Sequence, residues 1–119
     1  MPALTRHADA EVRRWALSGL GAAVGRGTSE AVAAVLERTR DADAGVRAYA
    51  CKVLARSPKG SPVATDALAA RLRDEDETVR VTAAVELARR GDGRGGEVLG
   101  GLGPVDPNAP YYWELRYLP

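Results

Sequence analysis

Residues 41–54 read DADAGVRAYACKVL, and the same frame recurs as HADAEVRRWALSGL at 7–20 and DEDETVRVTAAVEL at 74–87. All three fit [D/H]-x-D-x-x-V-R-x-x-A-x-x-x-L without a gap. The pairs Val12–Arg13, Val46–Arg47 and Val79–Arg80 set periods of 34 and then 33 residues. Self-similarity at this spacing belongs to stacked supersecondary units, each too small to bury its own apolar face. A fourth, degenerate copy starts at Asp106 as DPNAPYYWELRYLP, with Asn108 in place of the capping aspartate and Tyr111 in place of the valine.

Each copy predicts a helix with a defined start. Asp9, Asp43 and Asp76 stand three residues before the valine, where a carboxylate accepts the free amide protons of the first turn. Val12/Ala16/Leu20, Val46/Ala50/Leu54 and Val79/Ala83/Leu87 then fall on one stripe of a 3.6-residue helix. These are inner helices. Between them TSEAVAAVLERTR predicts an outer helix from Thr28 or Ser29, and SPVATDALAARLR another, with Ser61 as cap and Pro62 in the first turn, where its missing amide proton costs nothing. No stretch alternates with period two. The chain is therefore expected to be all-α, a row of antiparallel helix pairs in one domain over 1–119. The units are a partial repeat at 1–25, repeats at 28–57 and 61–91, and a degenerate repeat or cap at 92–119.

Gly91, Gly93 and Gly96 spell GxGxxG, the spacing of phosphate-binding loops. That fingerprint needs a strand before its first glycine, whereas Gly91 follows the inner helix VTAAVELARR. Gly91 instead reads as the left-handed residue that ends the helix, and Asp92 as the next cap. GDGRGGEVLGGLG holds seven glycines in thirteen residues, so the last outer helix should be short, and Pro104, Pro107 and Pro110 prevent a long continuation.

Composition narrows the function classes. Apolar residues make up 45% of the chain and charged ones 28%, as in ordinary globular domains. No apolar run is long enough to span a bilayer, the first residues lack the layout of a secretory signal, and the single Cys51 excludes an internal disulfide; a cytoplasmic location follows as the default. A net charge of +1 argues against a dedicated nucleic-acid binder, so a nucleic-acid partner running along Arg14, Lys52 and Arg89 is not expected.

DADAGVRAYACKVLAR and DEDETVRVTAAVELARRGD resemble the HEAT-repeat family, and are most similar to its short bacterial variety named after phycobilisome lyases. The resemblance covers roughly residues 5 to 103. It implies an α-solenoid, a right-handed superhelix whose inner helices line a concave surface. It also implies a ladder between repeats in which Asp41 and Asp74 supply carboxylates and Arg13, Arg47 and Arg80 the cations. His7 departs from the pattern at the first rung. Only MPALTR stands before it, so the first inner helix should lack most of its outer partner.

Other chemistry has little to draw on. The Asp41/Asp43 and Asp74/Asp76 pairs read as caps rather than Ca2+ or Mg2+ ligands, since a Ca2+ site gathers six or more oxygens. His7 lies in a turn and Cys51 beside an apolar stripe, which leaves no zinc set and no Cys–His pair. No catalytic residue, cofactor or metal is expected, and the protein is not expected to be an enzyme.

Two surfaces remain. The positions two, three and six after each motif valine gather Arg14, Trp15, Ser18, Tyr49, Lys52, Val81, Thr82 and Val85, a mixed strip facing the groove that suits a protein partner. Trp15 has a second reading, as filler for the missing outer helix. Tyr111, Tyr112, Trp113 and Tyr117 crowd the last nine residues. They read either as a cap over the last helix pair or as an adhesive tail that contacts a partner or a second copy. The expected function is a non-enzymatic protein-interaction or scaffold module, with an accessory role in a chromophore-lyase-like activity as the alternative and weak nucleic-acid binding as the second alternative. The open first repeat and the apolar tail both predict a homodimer.

Overall fold

A computed structural model describes residues 2–116 and 118, with the side chains of residues 2 and 3 left aside. The helices are α1 (Ala10–Ser18), α2 (Gly21–Gly25), α3 (Ser29–Arg38), α4 (Ala44–Leu54), α5 (Pro62–Ala70), α6 (Glu77–Arg89), α7 (Gly96–Gly100) and α8 (Tyr112–Arg116), with short 3-10 turns at Pro2–Arg6, Arg71–Arg73 and Gly93–Gly95. No strand occurs among the described residues. The fold is an all-α solenoid.

The inner row is α1, α4 and α6, with α4 packed between the other two; α3 backs α4 and α5 backs α6. Its stripe is dry. Ala16, Val46, Ala50, Leu54, Val79, Ala83 and Leu87 are all fully buried. The alanines in mid-stripe let neighbouring helices approach, and burial of each large aliphatic contributes roughly 1.5–3 kcal/mol. Val46, Ala50, Leu54 and Leu87 form one apolar cluster with Leu17, Val24, Val35 and Leu68.

The starts and stops are local devices. Asp9 accepts from the Glu11 amide, Asp43 from Val46 and Asp76 from Val79, while Ser61 accepts from Ala64. Gly91 sits at φ 78°. There the Asp92 amide donates to Leu87 O at 2.9 Å and the Gly91 amide to Ala88 O at 3.0 Å, the paired bonds of a left-handed helix stop. Asp92 then caps the next turn through the Arg94 amide. In this arrangement the glycines end one helix and admit another. Gly95 is the tightest of them, because a Cβ there would stand 2.7 Å from both Cα and Cβ of Ala84 on α6.

The first repeat differs from a single inner helix. The chain breaks between α1 and α2 around Gly19 and Gly21, poor helix formers, though Leu20 still reaches the core. The outer side at this end is covered by the Pro2–Arg6 turn, which packs on α1 and α3. That short cover buries Thr5 yet leaves Val12 only half-buried.

Candidate functional site

The rungs between repeats come first, because they fix the inner helices in register. Arg13 Nε and Nη2 donate to the two oxygens of Asp41 at 2.8 and 2.9 Å. Arg47 does the same to Asp74 at 2.9 and 3.0 Å. The remaining Nη1 of each guanidinium reaches back to its own turn: Arg13 to the carbonyls of His7 and Ala8, Arg47 to those of Asp41 and Ala42. Planar, forked donors suit this pattern. Arg80 keeps only the turn half, donating to the carbonyls of Asp74 and Glu75. Among the described residues no carboxylate rung to a following repeat is seen for it, and the tail that follows diverges from the repeat frame.

His7 fits the turn after all. Asp41 and Asp74 each accept the amide two residues on, from Asp43 and Asp76, and His7 Nδ1 accepts that of Asp9 in the same way at 3.0 Å. Burial works to raise the Asp41 carboxyl, but the bonds from Arg13, the Asp43 amide and Arg38 outweigh it and hold it below its ordinary value. Asp74 behaves alike, with burial overcome by Arg47, the Asp76 amide and the nearby Arg71 charge. With their oxygens so engaged, these aspartates act as turn and rung acceptors. Among the described residues no group of three or more His, Cys, Asp or Glu is placed to hold a metal ion.

The inner strip is split in two. On α1 and α4 an open cleft of about 340 Å3 is lined by Glu11, Arg14, Trp15, Ser18 and Tyr49. Trp15 is 64% exposed, so it does not fill the space of an absent outer helix. The Arg14 guanidinium lies 6.0 Å from the Tyr49 ring centroid, at the outer limit of a cation–π contact. Ser18 Oγ donates to the Trp15 carbonyl at 2.6 Å, which leaves the hydroxyl to the outside as an acceptor.

On α6 the strip is covered. Val81, Thr82 and Val85 are buried, at 0–1% exposure, and so cannot belong to a surface open to a partner. The C-terminal segment folds back over them: Val81, Val85 and Tyr111 form a second apolar cluster, joined by Val98, Leu99, Leu102, Val105, Leu115 and Leu118. Tyr111 Oη donates to Glu77 at 2.6 Å. Lys52 on α4 pairs with Glu114 of the tail, and Arg89 pairs with Glu86, so of the three cations Arg14, Lys52 and Arg89 that a nucleic acid would run along, two already face carboxylates. Burial pushes the Glu86 carboxyl up; Arg89 and Lys52 oppose this and the tail's Glu114 adds to it.

The aromatic tail thus caps its own chain. Tyr111 is buried and Tyr112 half-buried, its ring edge-on to Trp113 at 5.1 Å between centroids. Trp113 stays largely exposed. Tyr117 lies outside the described residues.

The covering of α6 had a trace in the sequence. At the positions where the first repeat has Arg14 and Ser18, the third has Val81 and Val85, which widens the apolar face of α6 beyond the Val79/Ala83/Leu87 stripe. Arg90 left no such trace. Its guanidinium donates to Thr65 Oγ1 and to the carbonyls of Ala55, Ser57, Pro58 and Ser61, stapling the loop between α4 and α5.

The model of a family described as HEAT repeats matches residues 1–99. No curated protein matches the chain. Among the described residues, no helix is long and apolar enough to cross a membrane.

Proposed function

The chain belongs to the HEAT-repeat family, and from that premise we propose that it is a non-enzymatic interaction and scaffold module, which holds a protein partner against the open part of its inner surface. One observation carries the reading: Trp15, the most exposed of the large apolar side chains, stands beside Tyr49 and Arg14 at the mouth of the cleft. Trp, Tyr and Arg are the residues that concentrate binding energy at interfaces. A non-catalytic role is supported by what the nucleophiles are doing. Burial pushes the Cys51 thiol up to about 12, and His7 is engaged in its turn.

The test is retention of partners from the source cell by the full chain. Trp15→Ala with Tyr49→Ala should release partners that the wild type holds. A double variant that keeps all of them would refute the proposal.

A second reading takes up the resemblance of the repeat motifs to the short bacterial variety of phycobilisome-lyase type. A cleft of about 340 Å3 with two aromatics and a cation falls at the small end of ligand sites, and would suit an accessory role in placing a chromophore on a client protein. Absorbance titration with a bilin should then saturate, and a flat trace removes this reading.

A further inference from the structure

The tail displays what the inner surface accepts. Over α6 it lays an aromatic ring on Val81 and Val85, an acid against Lys52 and leucines into the same apolar cluster, all within the run Tyr111 to Leu118. The segment is a five-residue helix with flanking turns, and it reaches its seat through the glycine- and proline-rich stretch 91–110. Among the described residues, Tyr111 ties it to Glu77 of α6 and Glu114 to Lys52 of α4. On α4, Tyr49 of the open cleft stands one helical turn before Lys52, which the tail meets.

We infer that the C-terminal segment is a tethered stand-in for the partner, and that the partner presents a peptide of the same chemistry, an aromatic residue followed by an acid and a leucine, which displaces the tail from α6. The inference rests on the reading of the inner surface as the binding face. Tethering gives the tail an effective concentration in the mM range for a flexible connection, so a free segment of equal affinity competes poorly. The partner's segment gains its advantage by running on into the open cleft, whose lining of Glu11, Arg14, Trp15, Ser18 and Tyr49 includes no described residue of the tail. Displacement then bares Val81, Thr82 and Val85 and joins the two halves of the strip into one groove.

The probe is a labelled synthetic peptide of residues 109–119, followed by fluorescence anisotropy against the full-length chain. Tyr111→Ala with Leu115→Ala removes side chains from the tail alone and leaves the main core of Leu17, Val35, Leu54 and Leu68 untouched. This chain should bind the peptide at least about tenfold more tightly than the wild type does, the difference being the lost competition in cis. A scrambled peptide of the same composition should bind neither. Should the double variant lose its helical dichroism, the single Leu115→Ala chain gives the same comparison. Equal affinity for wild-type and variant chains, no binding by a folded variant, or equal binding of the scrambled peptide would each overturn the inference. The Trp15/Tyr49 retention test does not involve the tail site, so failure of that reading and failure of this one are told apart.

Discussion

Arg47 holds Asp74 with two parallel bonds, Nε at 2.9 Å and Nη2 at 3.0 Å, while its Nη1 donates to the carbonyl of Asp41 at 2.8 Å. One side chain thereby fastens its own turn and the turn of the next repeat. Arg13 and Asp41 repeat the arrangement one unit earlier, so the stack is locked at the edge where its helices begin.

Removing one partner of this pair strands a buried charge. With side chains only 9% and 3% exposed, Arg47→Ala or Asp74→Ala should each cost about 3–5 kcal/mol. Arg47→Lys should recover little, since an ammonium cannot make the fork. The exposed Glu37, paired with Arg6 and Arg38, is the contrast: Glu37→Ala should leave the denaturation midpoint almost unchanged. Urea denaturation of the four variants measures the difference.

Acid should unfold the chain through its rungs. Asp41 and Asp74 have folded pKa values below the ordinary 3.8. Their stabilisation is complete above that value and is lost as pH falls from it toward the depressed folded values. Glu86 has the opposite sign. Its raised pKa means that ionisation is disfavoured in the folded chain, so its contribution improves as pH falls through the raised value toward 4.5. Tm should therefore rise slightly on approach to pH 4.5 and drop below 3.8. Glu86→Gln should abolish the rise and keep the drop.

Gly95 and Gly93 should respond differently to the same substitution. A Cβ on Gly95 would strike Ala84 at 2.7 Å, whereas nothing lies within 4 Å of one on Gly93. Gly95→Ala should cost about 1–3 kcal/mol through overpacking, and Gly93→Ala should be close to neutral. Thermal melts of the two chains check the pair. Equal losses would contradict the close approach of the last outer turn to α6.

Cys51 should be silent to thiol reagents in the native state. It is fully buried and its pKa is pushed up to about 12, so the thiolate that reacts is scarce and enclosed. Labelling with a disulfide reagent should proceed only at the rate of unfolding, and speed up with Arg47→Ala. Rapid labelling of the folded chain would show that α4 opens locally.

The repeat frame, the caps and the stops were legible because each depends on residues within one or two turns. An aspartate three residues before a valine caps a helix wherever that helix goes, and a glycine after VTAAVELARR can take positive φ without regard to its neighbours in space. The all-α stack followed, since a stripe of valine, alanine and leucine at this period has no other place to hide. The destination of the tail was not fixed by any such local rule. Whether YYWEL would lie on α6 or turn outward depended on closing a loop across residues 90–110 and on the match of Tyr111 to Val81 and Val85. Those are contacts between segments distant in sequence, and only the tertiary structure decided them. The same contacts left Trp15 and Tyr49 open and put Val81, Thr82 and Val85 out of reach: three helices that share one local code present different surfaces, because just one of them is covered by the chain's own end.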